Sequence, residues 1–558
     1  MNLENRNMKK TMHLIGVIML IPVIAFSQAP ENWFNLAFDT DSVYGAETNK
    51  AYDLLKGKEA KPVVVAVIDS GVDEDHEDLV NVMWVNPGET INSGRDDDNN
   101  KYVDDINGWN FIGGADGNVD KDNLEVTRLY RMYEEKFKDV KNPTTLGSKE
   151  KMEYARYLKV KKDTKNGREN ALKNLDRYQQ QKENIMNGLK DLEKMVGSEP
   201  LNLQKLEAIE TEGNSSLALV INIAKNGIES EEEEEEVTVD YIRDAVTEGL
   251  GGALDYFDTQ ANYHYNKDFN PRPIVGDDYS DPYQRDYGNN EYEGPDAFHG
   301  THVAGIIAAE RGNDLGIDGV ANHAKIMTVR AVPDGDERDK DVAAAIIYAV
   351  DNGASIINMS FGKGYSWNKD IVDEAVKYAA KNDVLLVHAA GNSAQNNDDT
   401  DNFPNDTYDK SCWLFCKKNA NDNWIEVGAL SYVYNENLPA SFSNYGKNEV
   451  DLFAPGVAIY STTPDNEYQN AQGTSMASPV VAGVSALLRS YFPELTAKQV
   501  KEILMESSTK IDMEVKKPGT QDLVPFSSLS VSGGTVNAYE AVKLAMETKG
   551  KKKTKKGA

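Results

Sequence analysis

The sequence predicts an α/β fold built on a doubly wound, mostly parallel sheet. Three observations carry that reading: β-branched runs, helical patterns set between them, and chemistry-bearing residues at the run ends. Residues 62–68, PVVVAVI, form an uninterrupted apolar run, as expected of a strand buried on both faces of a parallel sheet. Further runs occupy 324–332, 354–359, 384–389 and 424–430, with helical patterns at 300–310, 341–352 and 371–381. Strands that alternate with helices in this way make parallel crossovers, and their reactive residues stand just past the strand carboxyl ends.

From the N-terminus, Arg6, Lys9 and Lys10 precede an apolar run from Leu14 to Phe26, closed by Ala25-Phe26-Ser27. The run falls short of the ~20 residues needed to cross a bilayer. It reads as a signal peptide over 1–27 and implies export to the periplasm, the cell surface or the medium. No later stretch resembles a membrane span, so the mature chain is expected to lack an integral membrane segment. An N-terminal arm follows over 28–60, then a main domain over 61–545 and a lysine-rich tail over 546–558.

Composition narrows the classes further. The chain of 558 residues carries 60 Lys plus Arg against 91 Asp plus Glu, a net charge of -31. So acidic a protein repels nucleic acid and anionic lipid. Its 2 cysteines, Cys412 and Cys416, cannot build a disulfide scaffold or a multi-cysteine metal cluster. In an exported chain they are permitted a local bridge.

The main domain is interrupted at 121–270 by a polar, helical stretch. Leu172, Leu175, Ile185, Leu189, Leu192 and Met195 recur there at intervals that predict an amphipathic face, and Glu231 to Glu236 is an acidic run expected to be solvated. This insertion is a candidate lid, exosite or partner-docking arm, or a stabilising decoration. Upstream of it, Asp96, Asp98, Asn100, the Tyr102 carbonyl and Asp104 alternate as oxygen ligands that could wrap a calcium ion. Lys101 stands where a calcium loop of the EF-hand type needs glycine, so a plain acidic turn is the competing reading.

Four features carry chemistry. Asp69 ends the first strand and is followed by Ser70-Gly71; alone it reads equally as a turn-capping residue. His299 opens the helix HGTHVAG of small residues, which can approach a sheet closely; its spacing from His302 does not suit zinc. Ser475, in GTSMASP, sits with its own N–H at a helix N-terminus, where developing negative charge is favoured. Asn392 follows the 384–389 strand and can donate to the same charge.

Asp, His and Ser in that order, with Asn between His and Ser, together resemble the subtilisin-like serine peptidases (subtilases). The resemblance rests on VIDSGVD at 67–73, HGTHVAG at 299–305, INMSFG at 357–362, AAGN at 389–392 and GTSMASP at 473–479. It implies a subtilisin-like sheet with the helical insertion between the catalytic Asp and His. It implies Ser475 as nucleophile, His299 as general base and acid, Asp69 as the orienting carboxylate, and Asn392 with the Ser475 N–H as the oxyanion hole. His302 is then structural. Ser360, Phe361 and Gly362 would pair with an extended polypeptide substrate, and Ala389, Ala390 and Gly391 would line the primary specificity pocket. Ser393 follows Asn392 with no charge close by in sequence, so broad specificity is expected. The resemblance also raises the expectation of structural calcium at the 96–104 loop. No cofactor is needed for the chemistry.

Two other readings stay open on sequence: a catalytically silent fold that binds peptides, and a narrow processing protease that selects partners through 121–270. The arm is too short for the folding propeptide of many secreted relatives, and its role is not legible.

Overall fold

The computed structural model describes residues 29–230, 237–407 and 422–551. The segment expected to be a signal peptide, the Glu231–Glu236 run, Cys412 with Cys416, and residues 552–558 lie outside the described residues. Two compact units result, one over Val126–Phe269 and the other over Ala29–Glu125 with the chain from Asn270 onward.

The larger unit is organised by one sheet of nine strands. They are β1 (Val63–Asp69), β2 (Gly108–Asn110), β3 (Ala324–Arg330), β4 (Ile356–Met359), β5 (Leu385–Ala389), β6 (Trp424–Leu430), β7 (Leu452–Pro455), β8 (Thr509–Lys510) and β9 (Gly534–Thr535). Their spatial order is β8-β9-β7-β6-β5-β4-β1-β3-β2. Every pairing is parallel except β8 with β9 at one edge. The order turns back at β1, which lies between β3 and β4. The carboxyl end of β1 is therefore a topological switch point, where crevices open in such sheets.

Strand geometry sends successive side chains to opposite faces, and β1 shows the consequence. Val65 and Val67 enter one apolar cluster, Ala66 and Ile68 another. The first cluster is covered by α6 (Phe298–Ala308), α9 (Thr474–Tyr491) and α10 (Ala538–Glu547). The second is covered by α7 (Asp339–Asp351) and α8 (Lys369–Lys381). Helix α6 can lie close to its neighbours because Gly305 leaves room; a Cβ there would stand 2.2 Å from Thr462 Oγ1.

The N-terminal arm belongs to this core. Trp33 and Phe34 are fully buried, and the Trp33 indole donates to the Ala458 carbonyl at 3.0 Å. Asn35 donates to the Asp318 carbonyl at 2.7 Å, and Tyr52 on α1 (Thr48–Leu55) donates to Val320 at 2.9 Å. These partners lie hundreds of residues downstream, which is why the arm is illegible as a sequence.

The smaller unit is helical: α2 (Glu125–Phe137, its first residue still in the larger unit), α3 (Ser148–Val196), α4 (Ser215–Ser230) and α5 (Val239–Thr259). Its core joins Ile185, Leu189 and Leu192 to Val220, Ile242 and Val246. Gly188 lets α3 meet α4, since a Cβ there would stand 2.3 Å from the Ser216 carbonyl. Leu175, Ile185, Leu189 and Leu192 of the expected face are buried, but Leu172 and Met195 are exposed. At 3.6 residues per turn, Leu172 and Met195 fall about 100° or more to either side of Leu189, off the buried stripe.

In the larger unit, the chain on either side of the inserted residues is pinned to the start of α7. Arg338 donates twice to Asp122, at 2.7 and 2.9 Å. Arg272 donates twice to Asp341, at 2.6 and 2.9 Å, and also to Asp277. Burial lowers the Arg272 proton affinity, but the two aspartates outweigh it and hold the guanidinium firmly charged.

Candidate active site

Asp69 is the last residue of β1 and its side chain is buried. Its Oδ1 accepts the Ser70 N–H at 2.8 Å and meets His299 Nδ1 at 2.6 Å. That distance marks a strong, charge-assisted contact. Gly300 allows it: a Cβ there would stand 2.0 Å from the Gly71 carbonyl and 3.2 Å from Asp69 Cβ. Burial pulls the His299 pKa down, but the Asp69 charge and hydrogen bond outweigh it, and the net direction is up. His302 behaves differently. Its Nε2 faces the carbonyls of Ile459 and Gln469, both at 3.1 Å, and burial takes its pKa down to about 4. A neutral, enclosed imidazole of this kind is structural.

Ser475 occupies the first turn of α9, where N–H groups have no helical partner. Its hydroxyl donates to the Ser360 carbonyl at 3.0 Å, and the Ser360 hydroxyl donates to the Ser475 carbonyl at 2.9 Å. A buried relay extends this link, from Ser478 to Asn358 at 2.8 Å and from Asn358 to Ser360 at 2.9 Å. It fixes α9 on the end of β4. Among the described residues, no hydrogen bond joins Ser475 to His299; the serine hydroxyl is turned to Ser360.

Asn392 follows β5. Its Oδ1 accepts the Thr474 N–H at 2.8 Å and the Thr474 hydroxyl at 3.0 Å. Its amide nitrogen therefore faces the other way, and among the described residues it has no partner. A Cβ on Gly473 would stand 3.3 Å from that nitrogen and 3.5 Å from the Ser475 backbone nitrogen. The missing side chain of Gly473 thus leaves a small space facing both donors.

Of the remaining expected residues, Ser360 and Phe361 share a cleft of about 270 Å³ with Asp69, His299 and Arg330. Among the described residues neither backbone group of exposed Gly362 has a partner, so an open strand edge remains there. Ala389 and Ala390 are buried, and their carbonyls accept from the Asn402 amide at 3.2 Å. Gly391 adopts φ +104°, and a Cβ there would stand 2.6 Å from Asn444.

Two positioning roles were not read from the sequence, although one of the residues, Thr474, lies inside GTSMASP. Thr474 orients Asn392. Arg330, at the end of β3, donates to the Ser70 carbonyl at 2.7 Å and to the Val119 carbonyl at 2.6 Å. Burial pulls its pKa down to about 10.

The acidic loop brings Asp96 and Asp98 together with Glu89, which lies outside the alternating run, with ligand oxygens within 4.8 Å of one another. Glu89 Oε1 accepts the Asp97 N–H at 2.9 Å, while its Oε2 is buried and has no partner among the described residues. Asn100 accepts from the Tyr102 N–H at 2.8 Å and donates to Asp105 at 3.0 Å. The Asp104 carboxylate turns instead to the N–H groups of Ser93 and Gly94, at 3.0 and 2.8 Å. Tyr102 packs against Trp109 and Tyr348.

A family model described as the subtilase family matches residues 60–525. The chain is 35% identical over 305 residues to a thermophilic serine proteinase of a Bacillus species, covering 54% of this chain and 64% of that protein. It is 37% identical over 217 residues to subtilisin DY of Bacillus licheniformis, covering 38% of this chain and 71% of that protein. It is 35% identical over 245 residues to thermitase of Thermoactinomyces vulgaris, covering 44% and 74%.

Proposed function

The chain belongs to the subtilase family of serine proteases, and from that premise we propose that it is an exported serine endopeptidase acting on extended polypeptides. The observation that carries the reading is the 2.6 Å contact between His299 and Asp69, two residues the whole insertion separates in sequence. It lies in one cleft with Ser360, which is bonded to Ser475 both ways.

The reaction begins with a rotation of the Ser475 hydroxyl from the Ser360 carbonyl toward His299 Nε2. That nitrogen takes the proton as Ser475 Oγ attacks the scissile carbonyl, because a serine hydroxyl is a weak nucleophile until a base accepts its proton. Asp69 holds the Nδ1–H and stabilises the imidazolium. The new oxyanion enters the space beside Gly473 and receives bonds from Asn392 Nδ2 and the Ser475 N–H. His299 then protonates the leaving amine, and water cleaves the acyl-enzyme by the same route. The free edge at Gly362 suits backbone pairing, which binds a polypeptide largely without reading its side chains and so favours broad specificity.

Export rests on the 1–27 segment; among the described residues no helix is long and apolar enough to cross a membrane. The buried, unpartnered Glu89 oxygen beside Asp96 and Asp98 suits a hard cation such as calcium, which would brace the 86–105 loop. Docking of a partner through the inserted unit is a further part of this reading.

Casein cleavage and fluorophosphonate labelling of the mature protein and its Ser475→Ala variant test the proposal, with calcium and with chelator. Both activities are expected to vanish in the variant and to fall with chelator. A well-folded protein that neither labels nor cuts would overturn the peptidase reading; activity indifferent to chelator would remove calcium from it.

A further inference from the structure

The open edge at Gly362 has to be held straight and level with the cleft if a polypeptide is to pair along 360–362. Glycine at its end and the lack of a neighbouring strand both work against that. The next residue is Lys363, whose side chain is almost wholly buried, 1% exposed. A buried ammonium is costly unless paired, so its surroundings are informative.

Its Nζ meets Asp339 Oδ1 at 2.7 Å, the Glu337 carbonyl at 2.7 Å and Glu125 Oε2 at 3.5 Å. Its backbone exchanges two hydrogen bonds with Phe403, both 2.9 Å. Asp339 is held in turn by Ser366 at 2.8 Å and the Asn368 N–H at 2.6 Å. Glu125 is the first residue of α2, and its N–H is capped by Asp336 at 2.7 Å. One buried cation thus ties the end of the open edge to the start of α7 and to the first residue of the helix that leads into the insertion.

We propose that Lys363 is a positioning residue for substrate, fixing the 360–362 edge through Asp339 and Glu125 so that an extended polypeptide can pair with it. This rests on the peptidase reading above. It assigns Lys363 no contact with the reacting atoms. Substrates that reach along the edge depend on the cation, and substrates that occupy only the nucleophile and oxyanion space do not.

The test compares a tetrapeptide p-nitroanilide with p-nitrophenyl acetate, using wild type, Lys363→Met and Lys363→Arg. Lys363→Met is expected to raise KM for the tetrapeptide about tenfold, a loss of ~1.4 kcal/mol in binding. Acetate hydrolysis and fluorophosphonate labelling should stay within about twofold, and Lys363→Arg should restore most of the tetrapeptide KM. Equal loss on both substrates, or loss on neither, overturns the assignment. If Lys363→Met does not fold, Glu125→Gln carries the test, because it leaves the Asp339 contact in place. A tetrapeptide KM raised about threefold with ester hydrolysis intact supports the assignment; unchanged kinetics overturn it. Wild type that neither labels nor cleaves either substrate would instead bring down the peptidase reading, and this inference with it.

Discussion

At the scale of single residues, the His299–Asp69 contact sets the pH behaviour of the site. The folded-state pKa of His299 is raised above its ordinary 6.5, because the Asp69 charge overcomes burial. The base must be neutral to accept the serine proton, so kcat/KM should climb with pH through a midpoint above 6.5 and flatten beyond it. Asp69→Asn removes the raising charge and leaves a partner suited to the wrong tautomer. A pH series on a peptide substrate should show the midpoint moving down and kcat falling by about 10⁴. An unmoved midpoint would show that Asp69 does not govern the imidazole. Gly473 supports a second expectation at this scale. Gly473→Ala places a methyl 3.3 Å from the Asn392 amide, in the space proposed for the oxyanion. Its kcat should fall by about 10²–10³, the usual cost of losing one such donor. Circular dichroism should remain native. Full activity in that variant would move the oxyanion elsewhere.

At the scale of elements, what could be read in advance depended on how local the cause was. The run of β1 and the helix starts at His299 and Ser475 are written in a few adjacent residues, and the motifs around Asp69, His299, Asn392 and Ser475 were legible for that reason. The roles of Glu89, Thr474, Arg330 and Lys363 were not, because each acts through a partner that only the fold brings near. The ends of β3 show a smaller version: the apolar run continues to Val332, yet the strand stops at Arg330, where the chain turns to follow the Asp69 carbonyl. The N-terminal arm was illegible for the same cause. With Trp33 and Phe34 in the core, the arm packs as a layer of the larger unit. Trp33→Ala should lower stability by about 3–5 kcal/mol, the range for emptying a large aromatic site. Guanidinium unfolding in a Ser475→Ala background, where self-digestion is blocked, measures it. A change within about 0.5 kcal/mol, as at an ordinary surface position, would mean the arm is dispensable.

At the scale of the whole molecule, the chain inserts a unit with its own apolar core between two residues that must meet. The larger unit tolerates this because the chain on both sides of the insertion is fixed within it. On the entry side, Asp122 is clamped by Arg338; on the exit side, Arg272 is clamped by Asp277 and Asp341. Removing one member of a buried pair costs about 3–5 kcal/mol, so these clamps are strong constraints on local geometry. None of them uses a residue between Val126 and Phe269. A variant that replaces 126–269 with a short flexible linker should therefore fold and keep the His299–Asp69 contact. It should also hydrolyse a tetrapeptide p-nitroanilide within about threefold of the full chain. Casein cleavage by the same variant decides what the insertion is for. Casein turnover that falls much further than peptide turnover would make the insertion a docking surface for whole proteins. Equal retention of both would leave it a stabilising addition, and loss of peptide hydrolysis in a folded variant would show that the clamps alone do not hold the site.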